Sequence, residues 1–207
     1  MVDNSDYIAA GFKNTVGERF SRDSERLCSE FDERLAELLR ENADASKEKM
    51  LHLKSQILPG IAAYEVLQTV MPRDEALSIV HGYTEQHALK ARKMYEKMMR
   101  IPGLYRIIPA VFSKMSRKIF GERAGFSAKE LQTTGGVWRI DMVKCPYFDT
   151  CRQCGCAELC ACFCDSDDTS YANLHKKLVW RRTKTLGKGG DCCDFCLMVK
   201  SETKSNA

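Results

Sequence analysis

Apolar residues recur at intervals of three, four and seven over the first 120 positions, which is the pattern of amphipathic helices. Four helices are predicted: about residues 18–40, a second that Ser46 caps, a third that begins near Met71-Pro72, and a fourth over residues 102–120. Pro59 and Gly60 interrupt the second helix, so we expect a kink or a division there. This half of the chain is predicted to form a helical layer.

Near residue 137 the spacing of apolar residues changes from the helical pattern to an alternation of apolar and polar residues. Strands are predicted over residues 137–145, 178–186 and 193–199. Between the first two, residues 156–164 read as a short helix with Cys156, Cys160 and Cys164 on one face. The sequence therefore predicts an α+β fold, in which the helical layer packs on a small antiparallel sheet of β-α-β-β order.

The length of 207 residues suits one domain. We expect an N-terminal tail over residues 1–16, a single domain over 17–200 with a helical part (17–125) and a cysteine-rich sheet part (126–200), and a polar tail over 201–207. No apolar run approaches the ~20 residues of a membrane span, and the first residues lack a secretory pattern. We therefore expect a cytoplasmic protein.

Charge is distributed unevenly, although the net charge is only +4. Residues 1–70 hold 9 basic and 13 acidic groups, whereas residues 84–123 hold 10 basic and 3 acidic groups. The basic stretch suits nucleic acid, an anionic membrane surface or an acidic ligand, or is a solvated helix face. No zinc-finger or RRM signature supports nucleic acid, which we do not expect as a partner. The basic amphipathic helix over 102–120 either lies on a membrane or packs on its own core.

Cysteine is the most informative residue type, because ten of the 11 cysteines fall between residues 145 and 196. Without a secretory signal, this density favours thiolate chemistry or metal binding over disulfides. The pair Cys151-x-x-Cys154 has a zinc-like spacing. The matching pair Cys193-x-x-Cys196 lies on a predicted strand, where its side chains point to opposite faces. Zinc or another transition metal stays open as a cofactor.

Three stretches, CAELCACFCDSDD, LVWRRTKTLGKGG and CDF, together resemble the L-2-amino-thiazoline-4-carboxylic acid hydrolase family. The residues that carry this resemblance are Cys145, Glu158-Leu159, Cys164, Asp167, Asp168, Arg182-Thr183, Gly189-Gly190 and Cys193-Asp194-Phe195. The resemblance implies an enzyme that acts on non-peptide C–N bonds and opens a small carboxylated cyclic amidine, giving N-carbamoyl-cysteine. The cysteines outside the pattern are Cys151, Cys154, Cys156, Cys160, Cys162, Cys192 and Cys196.

Ring opening needs a nucleophile or activated water, a proton donor and a cation for the substrate carboxylate. The catalytic candidates are Cys145, Cys164, Cys193, Asp168 and His175, and the substrate-binding candidates are Arg182, Thr183 and Asp194. The three cysteines act either as a low-pKa thiolate, which needs no cofactor, or as metal ligands. Alternatively, Arg182 and Asp168 form a structural ion pair, and Asp194 only holds the hairpin.

The layout of helices followed by a sheet is also similar to vinyl-reductase-type small-ligand-binding domains. That resemblance lies at the level of the fold and implies a non-catalytic module that senses a small ligand or a metal. The small-molecule partner is common to both interpretations, and a homodimer stays open.

Overall fold

The computed structural model describes residues 6–200. Within that range the helices are α1 Tyr7–Arg19, α2 Ser24–Glu41, α3 Lys47–His52, α4 Leu58–Leu67, α5 Arg73–Met98, α6 Ile108–Ile119, α7 Pro146–Gln153 and α8 Cys160–Tyr171. The strands are β1 Ser127–Gln132, β2 Val137–Lys144, β3 Leu178–Arg181 and β4 Cys193–Val199. None of the helices in this range is long and apolar enough to cross a membrane.

The four strands form one antiparallel sheet in the order β1-β2-β4-β3. Pairing of β2 with β4 sets Cys193 opposite Met142, and pairing of β3 with β4 sets Arg181 opposite Cys196. The predicted α+β class with a small antiparallel sheet is confirmed.

Two apolar cores are built from interleaved parts of the chain. The helix core joins α1, α2, α4 and α5 to residues of the cysteine-rich segment, such as Cys151 and Phe163. The sheet core joins Trp138, Ile140 and Leu197 to helical-half residues such as Met99. Tyr147 packs against both cores, so each half of the sequence completes the core of the other.

The expected break in the second predicted helix takes the form of a π-helical turn, Leu53–Ile57, directly before α4.

Helix α8 is held against the helical layer by close packing and by polar contacts. In α4, Gly60 allows the Phe163 ring of α8 to approach, since a Cβ at Gly60 would lie 2.7 Å from Phe163 Cζ. On the α5 side, the Thr84 hydroxyl donates to the Cys162 carbonyl at 3.1 Å.

The turn before α8 is anchored by Glu158, a residue of the family-like pattern. Its carboxylate accepts hydrogen bonds from the Tyr64 hydroxyl at 2.6 Å and from Arg73 Nη2 at 2.6 Å. Leu159 beside it is fully buried. This Glu-Leu step therefore fixes where α8 begins.

Several predicted boundaries are wrong, each for a physical reason. The sheet has an additional first strand, because β1 is an exposed edge strand without an apolar face. The cysteine helix runs over Cys160–Tyr171, so the acidic residues Asp167 and Asp168 lie inside it rather than after it. The strand predicted over 178–186 ends at Arg181.

The N-terminal tail predicted over residues 1–16 is wrong for its described part. Residues from Tyr7 onward form α1, which buries Ile8, Phe12 and Val16 in the helix core. The Phe12 and Phe31 rings stack at 4.6 Å between centroids, which fixes α1 on α2. Residues 1–5 and the predicted polar tail 201–207 lie outside the described residues.

The contact at Gly60 gives a stability prediction. Gly60→Ala places a methyl group against Phe163 in a buried site, which costs about 1–3 kcal/mol through overpacking. Gly82→Ala in α5 is the matched control, because no atom lies within 4 Å of its added Cβ, and Ala favours a helix by about 1 kcal/mol. Urea unfolding should show Gly60→Ala less stable than Gly82→Ala. Equal stability of the two variants would contradict close packing of α4 on α8.

Candidate functional site

Four thiols from three parts of the chain meet at one end of the sheet. We call Cys145, Cys160, Cys164 and Cys193 the thiol cluster. Cys145 lies between β2 and α7, Cys160 and Cys164 lie one turn apart in α8, and Cys193 begins β4.

The turn over residues 186–188 closes on the thiol cluster from the opposite side. The Leu186 amide donates to Cys193 Sγ at 3.3 Å. A Cβ at Gly187 would lie 3.0 Å from Cys160 Sγ and 3.1 Å from Cys164 Sγ, so the absence of a side chain there permits the contact. Cys145 belongs to the same neighbourhood, because charge on Cys164 or Cys193 raises its pKa. The structure thus brings the three predicted cysteines together.

Arg182 lies buried beside this cluster, with 2% of its side chain exposed. Its Nη1 donates to Asp167 at 3.1 Å, and its Nη2 donates to Asp168 and to the Cys164 carbonyl, both at 2.6 Å. Asp168 also accepts from Trp180 Nε1 at 2.7 Å. The structure therefore does not present Arg182 as an exposed cation for a substrate carboxylate. Instead, the guanidinium fastens β3 to α8, as in the ion-pair alternative.

Cys164 is the member of the cluster that the surroundings favour as a thiolate. A hydrogen bond from the Cys160 thiol lowers the pKa of Cys164, while burial opposes this and the Arg182 charge adds to it. Cys160 keeps the shared proton, since the bond to Cys164 raises the pKa of Cys160. The Arg182 charge adds to this difference between the two thiols, because it favours negative charge on Cys164.

Thr185 contributes a further donor beside Cys164. The residue is 4% exposed, and its hydroxyl has no hydrogen-bond partner within residues 6–200. A buried hydroxyl without a partner costs free energy. As a donor near Cys164, this hydroxyl adds to the lowering of the Cys164 pKa.

The other two predicted nucleophiles are held as neutral thiols. Burial raises the pKa of Cys145 to about 12, although the amides of Phe148 and Tyr147 in the first turn of α7 oppose this shift. Burial raises the pKa of Cys193 to about 11. Of the three cysteines in the family-like pattern, Cys164 alone has a lowered pKa.

Asp167 lies beside the thiol cluster, where Arg182 binds it. Its side chain is 40% exposed, and desolvation by the surrounding protein raises its pKa to about 6, although the Arg182 charge opposes this shift. Tyr147 is half-buried nearby, and its pKa is raised well above 10 by burial and by charge on Cys145 and Asp167. Its hydroxyl donates to Gln56 Oε1 of the helical layer at 3.4 Å.

The remaining predicted site residues lie elsewhere or serve the fold. His175 stacks on Tyr105 at 4.4 Å between centroids and precedes β3, where Leu178 pairs with Val199. Cys193 begins the other end of β4, six residues or about 20 Å away. His175 therefore does not reach the thiol cluster.

Thr183 and Asp194 are hydrogen-bonded to each other in the hairpin. Asp194 accepts from the Thr183 amide at 2.8 Å, from the Thr183 hydroxyl at 2.6 Å and from the Lys184 amide at 2.8 Å. Burial alone would raise the pKa of Asp194, but these hydrogen bonds lower it overall. The geometry matches the alternative in which Asp194 holds the hairpin.

The cysteines carry no disulfide in this structure, since all 11 are free. Within residues 6–200, no group of three or more His, Cys, Asp or Glu side chains is arranged to hold a metal ion, and this includes Cys145, Cys164 and Cys193. Zinc or another transition metal as a cofactor stays a prediction. Six of the seven cysteines outside the family-like pattern are buried: Cys151, Cys156, Cys160, Cys162, Cys192 and Cys196.

The fold and site together define an α+β protein in which one thiol of lowered pKa, one buried arginine and two partly exposed acids lie together. The family model for L-2-amino-thiazoline-4-carboxylic acid hydrolase matches residues 50–197, and the chain belongs to that family. No curated protein and no solved structure gives a match.

Sequence reasoning did not identify Thr185, Gly187 or Tyr147 as parts of the site. Thr185 and Gly187 lie in a segment that was expected to be strand and hairpin, which hides a turn that folds back on α8. Tyr147 lies in α7, a helix that the pattern did not predict. The four-residue spacing of Cys160 and Cys164 was the one visible signal of their contact.

The raised pKa of Asp167 predicts a pH-dependent stability difference. Its value of about 6 in the fold, against 3.8 ordinarily, means that the folded state binds this proton more tightly. The stabilisation is complete below pH 3.8 and is lost as the pH rises through 6. The Asp167→Asn variant lacks this titrating carboxyl and does not lose that stabilisation. Its free energy of unfolding, relative to that of wild type, should therefore increase between pH 4 and pH 7. We expect about 1 kcal/mol, discounted because the side chain is partly exposed.

Urea unfolding at several pH values measures this difference. Asp191→Asn is the control of opposite sign, because a hydrogen bond from Lys184 lowers the pKa of Asp191. A pH-independent difference for Asp167→Asn would contradict desolvation of the carboxylate.

Proposed function

We propose that this protein hydrolyses a small carboxylated cyclic amidine of the 2-aminothiazoline-4-carboxylate type, with the Cys164 thiolate as the nucleophile. Family membership supports the substrate class. The observation that carries the choice of nucleophile is the lowered pKa of Cys164 among neighbours whose pKa is raised. A thiolate is a far better nucleophile than a thiol.

The first half of the reaction forms a covalent intermediate. The Cys164 thiolate adds to the ring carbon between sulfur and nitrogen, and the C=N electron pair moves to nitrogen. When the C=N bond re-forms, the ring C–S bond breaks and the sulfur leaves as a thiolate. Asp167 gives that thiolate a proton. The former ring carbon is then an isothiourea bonded to Cys164.

The second half returns the enzyme to its starting state. The Asp167 carboxylate takes a proton from water, and the hydroxide adds to the isothiourea carbon. Collapse of this adduct breaks the carbon–Cys164 bond, restores the thiolate and releases N-carbamoyl-cysteine. A pKa of about 6 suits Asp167 to both roles, because such a group gives and takes protons readily near neutral pH.

The bond that breaks in this proposal is a C–S bond. Both nitrogens of the amidine stay on the same carbon in N-carbamoyl-cysteine, so only the bond to ring sulfur is lost. The enzyme class implied by the resemblance, cleavage of a C–N bond, does not follow from this product.

Three residues position the reacting groups in this proposal. Cys160 and Thr185 donate hydrogen bonds to the Cys164 thiolate. Arg182 holds the Cys164 carbonyl and Asp167 at the same time, so the nucleophile and the acid share one rigid support. This assigns Arg182 a positioning role in place of carboxylate binding, and it assigns the proton transfers to Asp167 in place of Asp168 and His175.

Cys164→Ser should reduce turnover of 2-aminothiazoline-4-carboxylate at least about 10³-fold, because a serine hydroxyl stays protonated where a thiol ionises. Mass spectrometry of the reaction should show the carbamoyl product in wild type and a covalent adduct on Cys164 at early times. Cys28→Ser, in α2 and outside the thiol cluster, is the control and should keep full activity.

Two outcomes would contradict the proposal. Full activity of Cys164→Ser would exclude this residue as the nucleophile. Binding of the thiazoline without turnover in wild type would favour the non-catalytic ligand-sensing alternative.

A further inference from the structure

Helix α6 carries an apolar ridge on its exposed face. Ile107, just before the helix, and Val111, Met115 and Ile119 follow one another at four-residue intervals. Their exposed fractions are 53%, 39%, 50% and 39%. We call these four residues the α6 ridge. Four successive apolar side chains on one exposed row differ from scattered surface hydrophobics, which need no explanation.

The inward face of α6 explains why the ridge is left outside. The helix packs on the sheet through Ile108, Ser113 and Ser116, which are buried, and through Phe112. Ser116 accepts a hydrogen bond from Trp138 Nε1 at 3.1 Å, which fixes the rotation of the helix on β2. A rotation of the helix that turned the ridge inward would break this buried hydrogen bond.

Basic side chains lie along the edge of the ridge. Lys114 and Lys118 occupy adjacent positions on the helix, one turn apart, and neither forms an ion pair within residues 6–200. Arg117 pairs with Glu130 of β1 at 2.7 Å. These three basic residues, with Ser113 and Thr133, line an open cavity of about 560 Å³ between α6 and the β1–β2 turn. An apolar row beside lysines at a concave basic surface is the arrangement of an interfacial helix.

The charge of the surrounding chain favours one class of occupant. Residues 84–123 carry a net charge of +7 from 10 basic and 3 acidic groups. A second copy docked by a two-fold axis would bring two such basic segments together, which costs electrostatic energy. An anionic bilayer instead offers negative headgroups to the lysines and an apolar interior to the ridge, and it attracts basic segments.

We propose that α6 is a peripheral membrane-binding element, which inserts the α6 ridge into the interface of an anionic phospholipid bilayer while Lys114 and Lys118 contact the lipid phosphates. The long lysine side chains reach the headgroups while their alkyl stems cover the apolar row. This binding is reversible and superficial, because a single short helix buries little apolar surface. The thiol cluster lies at the β2–α7 junction, in α8 and in β4, and takes no part in this contact.

Co-sedimentation of the full chain with vesicles of phosphatidylcholine, with and without phosphatidylserine, tests the proposal. We expect binding to vesicles that contain phosphatidylserine, and weakening of that binding by salt. The double variant Val111→Ser/Met115→Ser should weaken binding at least about tenfold, since it removes most of the ridge. Lys114→Gln/Lys118→Gln should weaken it about fivefold for each lysine removed.

Leu89→Ser is the matched control, because Leu89 is a comparably exposed residue (42%) on another helix, α5. This variant should bind vesicles as wild type does. Circular dichroism of all variants checks the fold, and every substituted position is exposed.

Three results would overturn the proposal. The first is absence of binding to phosphatidylserine vesicles at low salt. The second is equal binding of wild type and the ridge variant. The third is a dimer in sedimentation equilibrium that the ridge variant abolishes, which would make a second copy the occupant.

Discussion

The buried guanidinium of Arg182 is the interaction on which the site depends. Transfer of a charge into the protein costs several kcal/mol, and this cost is offset only when the charge is paired and its hydrogen bonds are made. Asp167, Asp168 and the Cys164 carbonyl together meet that requirement, and all three lie on α8. Strand β3 and helix α8 are consequently locked in one relative position, which in turn sets Cys164 against the turn at Gly187.

The Arg182 guanidinium also contributes to the difference in pKa among the four thiols. Four sulfurs lie close together, and burial by itself favours the neutral thiol. Cys164 departs from this rule because Cys160 and Thr185 donate to it and because Arg182 supplies positive charge. Cys145 and Cys193 stay neutral beside Cys164, since burial raises the pKa of each. A dense group of cysteines thereby contains one thiol of lowered pKa among neighbours whose pKa is raised.

The sequence allowed the fold class, most helices and the convergence of three cysteines to be predicted, because apolar periodicity and the family-like pattern report on burial. Strand β1 escaped prediction because its residues are exposed at a sheet edge and show no apolar face. The sequence could not separate the roles of Asp167 and Asp168, because the two acids are adjacent in the chain. They differ only in their contacts with the side chains of Trp180 and Arg182. The position of His175 depends on where β3 begins relative to β4, which pairing alone decides. The sequence left open whether the basic helix over 102–120 faces a membrane or its own core, because the buried serine–tryptophan hydrogen bond that sets the rotation of the helix leaves no signal in the apolar pattern.

The central claim is that Cys164 is the cysteine that ionises first in the folded protein. Alkylation of the native protein by iodoacetamide over a range of pH, with each cysteine resolved by peptide mass spectrometry, measures this directly. Cys164 is half-buried and accessible to a small reagent. The account predicts that Cys164 reacts with an apparent pKa below that of an ordinary free thiol, and that Cys145 and Cys193 react only at higher pH. Reaction of Cys145 or Cys193 at lower pH than Cys164 would contradict it.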